Sequence, residues 1–368
     1  MDPDALRDEV GEWVREGIIS EDQATEILSR YESVEPERSR AVIALSLVGV
    51  ALVFVGVTWF LATNWQDLPR VLRAIVLVAA PGLAYAGGIL TYPKQSPRIG
   101  HALMILGAIL VGPSLFLLGD LVEIDIATVW ILLGWTIFAL PTGHLLDSRP
   151  GTAFGLLILS GLVIELSEPA DPAPVVGLLG LILFALGHTR QTKSTWVYRV
   201  GGVALAIAAL LLLTTWEGRF DRFAIEGTVP LAGAIVGAIG GTMWLYQRGD
   251  RAAFEWMIAG LVAIVVSVAT ATLAPDSIPH GIGFLGTHTG SLLLLVATGH
   301  LGLRTQSKTL IDVAVVGALL QTLSFVAATI VDALSGAVAL ILAGVILLLI
   351  GLGLERGRRS LLESITSD

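Results

Sequence analysis

Tyr198-Arg-Val-Gly-Gly-Val-Ala-Leu-Ala-Ile-Ala-Ala-Leu-Leu-Leu-Leu-Thr-Thr-Trp216 carries no charge after its second residue. A run of this kind decides the fold. The hydrocarbon core of a bilayer is about 30 Å thick and a helix rises about 1.5 Å per residue, so about 20 apolar residues cross it. Without water to bond the backbone, such a run is a helix. Arg190 and Lys193 precede it. Similar runs fill the chain on both sides: 41–62, 72–92, 100–118, 126–146, 151–167, 172–188, 229–246, 252–273, 283–302, 309–330 and 333–354. With 198–216 this gives twelve expected spans, or ten if the short pair at 151–167 and 172–188 re-enters from one side.

Composition agrees. Mean hydropathy is +0.80, and only 14% of residues are charged, where a soluble domain carries about a quarter. Ten-residue alternating segments, the mark of a membrane β-barrel, are absent from the sequence. The expected class is therefore all-α, a polytopic transmembrane helical bundle. There is no cysteine, which removes disulfides, thiolate metal sites and thiol nucleophiles together. Residues 1–40 are polar and hold no apolar core of a cleavable signal, so the first span is expected to act as its own insertion signal.

Orientation follows from Lys and Arg, which concentrate on the cytoplasmic side. Arg7, Arg15, Arg30, Arg38 and Arg40 precede the first span. Every second connector is then basic: Lys94 and Arg98; Arg149; Arg190, Lys193 and Arg199; Arg248 and Arg251; Arg304 and Lys308; Arg356, Arg358 and Arg359. These are eighteen of the 22 basic residues; the other connectors hold only Arg70, Arg73, Arg219 and Arg222. Both termini are expected in the cytoplasm, in a cell (plasma) membrane. Three runs end alike, at Pro141-Thr-Gly-His144, Leu186-Gly-His188 and Thr298-Gly-His300, as if one helical hairpin were duplicated in a single orientation.

Three regions result: a cytoplasmic helical hairpin at 1–40, the transmembrane domain at 41–354 and a cytoplasmic tail at 355–368. In the head, Leu6, Val10, Trp13 and Val14 share one face of a helix that Gly17 ends. Ser20 and Gln23 form a capping box for a second helix, whose stripe is Ala24, Ile27, Leu28 and Tyr31. Thirty residues bury little core, so Trp13, Ile27 and Tyr31 are the candidate surface for docking a protein partner. Membrane lipids are the other expected partner, and nucleic acid is not one.

The head pattern Trp13-x-x-x-Gly17-x-Ile19-x-x-x-Gln23-x-x-x-Ile27-x-x-x-Tyr31, followed by Ala62-Thr-Asn64-Trp65-Gln-Asp67-Leu-Pro69, resembles the predicted membrane proteins of the domain of unknown function 2157 family. The resemblance covers about residues 5–90. It implies a two-helix head and a first span ending in Asn-Trp, and it implies no activity.

Asn64 and Trp65 are candidates for a specific packing or functional role at the outer end of the first span, against the plainer reading of Trp65 as an interfacial anchor. Pro81-Gly82 and Gly112-Pro113 interrupt the second and third spans at comparable depth. With Gln321, the clearest polar residue near a midplane, they mark a candidate cavity, or else tolerated kinks. Gly233, Gly237 and Gly241 are expected at a close helix contact, and Asp312 is expected to pair with Lys308. No metal site is expected from His144, His188 and His300, which lack an acidic second set of partners. Neither HExxH nor G-x-S-x-G occurs, so neither an enzyme nor a cofactor is expected. The leading expectation is a non-catalytic membrane protein whose head docks a partner; the alternative is a small-solute or lipid transporter.

Overall fold

The computed structural model describes residues 3–32, 52, 59, 63–92, 97–124, 126–168, 171–215, 228–273, 282–331, 344–345, 348, 351–353 and 355–359. The chain divides into two compact units, Met1–Arg73 and Ala74–Asp368. Most of the expected first and last spans, 41–62 and 333–354, lies outside the described residues.

In the first unit, α1 (Pro3–Arg15) and α2 (Glu21–Glu32) form the expected hairpin. Gly17 takes a φ of 71°, and the amides of Gly17 and Ile18 return to the carbonyls of Val14 and Trp13, closing α1 by the left-handed stop that glycine permits. The capping box is present in full. Gln23 N–H donates to Ser20 Oγ at 3.3 Å, and Ser20 N–H donates to Gln23 Oε1 at 2.9 Å. Val10 and Ala24 are buried between the helices, with Trp13, Val14, Ile19, Ile27 and Leu28 packed half-covered around them.

The second unit is a helical bundle, with no strand among the described residues. Its helices are α3 (Arg70–Thr91), which begins at the end of the first unit, α4 (Pro97–Leu121), α5 (Thr128–Leu145), α6 (Arg149–Ser167), α7 (Ala173–Leu186), α8 (Lys193–Thr215), α9 (Thr228–Arg248), α10 (Arg251–Leu273), α11 (Ile282–Arg304) and α12 (Lys308–Val326). Among the described residues seven helices are long and apolar enough to cross a membrane: α3, α4, α5, α6, α8, α10 and α12. α9 and α11 match them in length, and α7 is apolar but only 14 residues long. Large side chains such as Leu83, Phe116, Val236 and Val296 are exposed on many faces of these helices. In water such a surface would be an aggregation hazard; against acyl chains it is ordinary.

Glycine decides which helices touch. A Cβ on Gly180 or Gly202 would lie 2.6 or 2.5 Å from the other residue's carbonyl oxygen, so α7 and α8 meet backbone to backbone. Gly143 meets Gly151 and Thr152 in the same way at the α5–α6 turn. Lipid tails are as apolar as leucine, so close approach through small residues, not escape from water, drives this association. α7 ends up at the centre: eleven of its 14 residues are buried, and Leu181 and Phe184 join Trp256 and Met257 of α10 and Leu294 of α11 in one core.

The turns share a pattern that the sequence reading missed. Asp147, Gly249 and Gln306 each take a positive φ. Each is followed by Ser148, Asp250 or Ser307 before the next helix and then by a cation, Arg149, Arg251 or Lys308, at the first helical position. The hairpins α5–α6, α9–α10 and α11–α12 thus turn in a few residues at their basic ends. Ser148 accepts from Gly151 N–H and Asp250 from Ala253 N–H, as helix caps do.

Candidate functional site

The residues singled out in the sequence fall in four places. In the head, Trp13 and Ile27 are half-buried against Val10 and Ala24, while Ile18 in the turn is 63% exposed. The backbone of Tyr31 belongs to α2, and its side chain lies outside the described residues. Among the described residues the hairpin therefore buries Val10 and Ala24 and leaves an apolar stripe half-open to its surroundings.

Asn64 and Trp65 open a tight turn. Trp65–Asp67 is a single 3₁₀ turn ahead of Pro69 and α3. The Asn64 amide donates to Thr63 Oγ1 at 3.1 Å, so it does not cap the turn that follows. Arg73 closes the loop: its Nε donates to the Leu68 carbonyl at 2.9 Å and its Nη atoms to the side chain and carbonyl of Gln66. Arg73 was legible only as a stray outer cation, yet it ties the acidic-Leu-Pro turn together.

Pro81-Gly82 and Gly112-Pro113 sit inside α3 and α4, which continue as helices through them. Gly112 is filled from the neighbouring helix. A Cβ there would lie 2.1 Å from the indole of Trp135 on α5, and Trp135 Nε1 donates to the Ala108 carbonyl at 2.9 Å. The carbonyl that Pro113 leaves without its helical donor is the next one, of Ile109. Gly82 faces open space. Two cavities open elsewhere in the bundle, and neither is lined by Pro81, Gly82, Gly112, Pro113 or Gln321. One, of about 260 Å³, lies between Val163, Val175, Pro230 and Gly233. Gly233 therefore borders a void, against expectation, whereas Gly237 and Gly241 do press on Ile182 and Ala185 of α7.

Gln321 is 3% exposed on α12, and neither atom of its amide has a partner among the described residues. The Ser267 and Ser291 hydroxyls, on α10 and α11, are buried and unpartnered in the same sense. A Cβ on Gly290 would lie 2.1 Å from Ser267 Oγ, so the Ser267 hydroxyl packs against α11 beside Ser291. The His288 ring lies tilted against Phe284 and edge-on to Phe325, and its Nδ1 meets the Phe284 carbonyl at 3.0 Å. α10, α11 and α12 thus each carry a buried polar group inside an apolar bundle. Deeply buried polar groups find partners in protein, water or ligand, and in membrane helices they mark solute paths more often than in soluble cores.

His144, His188 and His300 end three separate helices: His144 lies against Tyr198, His188 against Phe184, and His300 is exposed. Asp312 corrects a pairing. It meets Arg358 Nε at 2.7 Å and not Lys308, because Arg358 approaches from the side of α12 that Asp312 faces. At the α5–α6 corner, Asp147 accepts from Ser194 N–H at 2.8 Å at the start of α8, and that bond holds its carboxyl below the usual range. Thr152 donates to Ser194 Oγ at 3.1 Å beneath it. Sequence reasoning missed this corner, which joins two successive hairpins, α5–α6 and α7–α8.

Residues 11–152 match DUF2157, a family described as predicted membrane proteins. The match extends the resemblance read from the head and first turn as far as the opening of α6. No curated protein and no solved structure matches the chain.

Proposed function

With the match to predicted membrane proteins as premise, we infer that the chain is a non-catalytic plasma-membrane protein of about twelve spans with both termini in the cytoplasm. Its head, in this reading, docks a protein partner. The half-covered stripe of Trp13, Val14, Ile27 and Leu28 carries the reading, because a hairpin this small gains stability by covering that stripe. Charge favours protein over lipid as the cover. Residues 1–32 hold ten Asp and Glu (2, 4, 8, 9, 12, 16, 21, 22, 26 and 32) against Arg7, Arg15 and Arg30, and an anionic leaflet repels such a surface.

The turns support the orientation. A cation at the first position of a helix faces the positive end of the dipole, so Arg149, Arg251 and Lys308 do not serve helix stability there. Retention on the cytoplasmic side accounts for them. The Asp312–Arg358 pair supports an even return: the chain leaves that end along α12 and is back at it by Arg358.

Cross-linking in native membranes, followed by purification with and without residues 1–36, tests the docking. A protein recovered with the full chain and lost from the truncated one is the expected result. Equal recovery, or none, would end the docking reading. A second reading, transport of a small solute or lipid, rests on the unpartnered polar atoms of Ser267, Ser291 and Gln321. Gln321→Leu should then abolish uptake in reconstituted vesicles, whereas removal of the head should leave it intact.

A further inference from the structure

The second cavity, of about 300 Å³, opens at the turn end of the bundle between α7, α8, α11 and α12. Its walls divide into two kinds. Trp196, Leu301 and Leu310 are apolar, whereas Arg199, His188 and Ser307 are polar.

Arg199 is the informative member. Its Nε is buried and has no hydrogen-bond partner among the described residues. The stem of Arg199 lies against Gly187, where a Cβ would come within 2.4 Å of Cγ, so the position is built into the α7–α8 contact. A guanidinium that is half-buried at its Nε without a counter-charge is completed by an anion.

The surrounding charges do not supply that anion. Arg248 reaches in from α9 to donate to the His188 carbonyl at 2.7 Å. Arg304 and Lys308 flank the 305–307 turn. The carboxylate nearby, Asp250, stands 3.9 Å from His188 Nε2 and is committed as a cap to Ala253. Cations therefore outnumber carboxylates around the opening.

Ser307 adds an independent sign. It stands where Ser148 and Asp250 cap their helices, yet its hydroxyl makes no cap bond. Ser307 lines the cavity at the positive end of the α12 dipole, where the first amides of a helix lack partners within it. Guanidinium, hydroxyl and free amides together match a group with several oxygens and negative charge.

We propose that this cavity binds a phosphate ester, with the phosphate between Arg199 and Ser307 and the organic part against Trp196 and Leu310. An anionic phospholipid headgroup and a soluble phosphorylated metabolite share this chemistry. The site is separate from the head, so its fate does not depend on the docking reading.

The test uses the full-length protein in neutral detergent. Binding of phosphatidylglycerol is read by native mass spectrometry against phosphatidylcholine, and binding of inorganic phosphate by thermal shift. Wild type should bind one or both, Arg199→Gln should bind at least about tenfold more weakly, and the exposed Arg251→Gln should behave as wild type. Arg199-dependent retention of phosphatidylglycerol, with weak response to inorganic phosphate, identifies a lipid headgroup. Arg199-dependent stabilisation by inorganic phosphate without preference for phosphatidylglycerol identifies a soluble ester. Ser307→Glu guards against misfolding of the Arg199 variant, because a carboxylate suits a helix start while repelling the ligand; it should also lose binding. Binding of neither probe by wild type overturns the proposal. So does undiminished binding by Arg199→Gln or Ser307→Glu, or an equal loss in Arg251→Gln.

Discussion

Val10 in the head and Leu181 in the bundle are both enclosed, at 1% and 0% exposure, yet enclosure means different things in the two places. Around Val10 the alternative is water, and each apolar contact made between α1 and α2 stabilises the hairpin by removing surface from it. Around Leu181 the alternative is hydrocarbon, so the transfer is nearly neutral and what remains is fit. The two units are accordingly built from different devices. The head relies on a capping box, a glycine stop and an amphipathic stripe. The bundle relies on glycine pairs, a few interhelical hydrogen bonds and short turns.

Substitutions can break that contrast or sharpen it. Val10→Asp should have the largest effect, because an unpaired carboxylate between α1 and α2 costs several kcal/mol, more than a hairpin of this size holds. Proteolysis should then cut within residues 3–32 while the bundle melts unchanged; an earlier melt of the bundle would mean the two units are not independent. Gly202→Ala comes next. Its Cβ would meet backbone atoms of Gly180 and Phe184, and such overpacking costs about 1–3 kcal/mol. Gly299→Ala faces open space and should be neutral or gain up to about 1 kcal/mol from helix propensity. Equal melts for these two variants would remove close packing as the force that holds the bundle.

Trp256→Phe should lower the melt by about 1–2 kcal/mol, through loss of the 2.9 Å bond from Nε1 to Thr298 Oγ1. Ser20→Ala should cost the head about 1 kcal/mol and leave the bundle untouched, as seen by hydrogen exchange of α2. The smallest effect belongs to Asp147. Its carboxyl is held low by Ser194 N–H, so its contribution is present above the ordinary carboxylate range and fades as pH falls through the depressed value. Thermal melts of wild type and Asp147→Asn should therefore differ slightly at neutral pH and converge in acid. A gap that widens in acid would contradict the assignment.

The head was legible in its sequence because water makes position matter: a stripe every three or four residues has one use there. Ser20, Gln23 and Gly17 each took the role their chemistry specifies. Inside the bundle that signal vanishes, because a helix apolar all round faces lipid and protein with the same residues. Hence α7, read in the sequence only as one of a short pair of spans, proves central, Gly233 borders a void where a contact was expected, and Trp135 fills the space beside Gly112. The placement of Gln321 as a buried polar residue was readable, since apolar surroundings make one amide conspicuous. Ser291 was not, because a serine in a membrane helix commonly bonds its own backbone. The positive-φ turns were readable in principle, as a cap residue followed by Arg or Lys, but only once three of them lay side by side.

Those turns also bear on how the molecule is made. A helix joined to the next by two or three residues cannot stray far from it, so α5 with α6, α9 with α10 and α11 with α12 are neighbours as soon as both have been synthesised. The entropy of closing so short a loop is small, and contacts between near neighbours in sequence form fastest. Assembly then becomes a succession of prebuilt pairs, and the search that remains is for one pair to find another. Asp147 with Ser194 is a contact of that later kind.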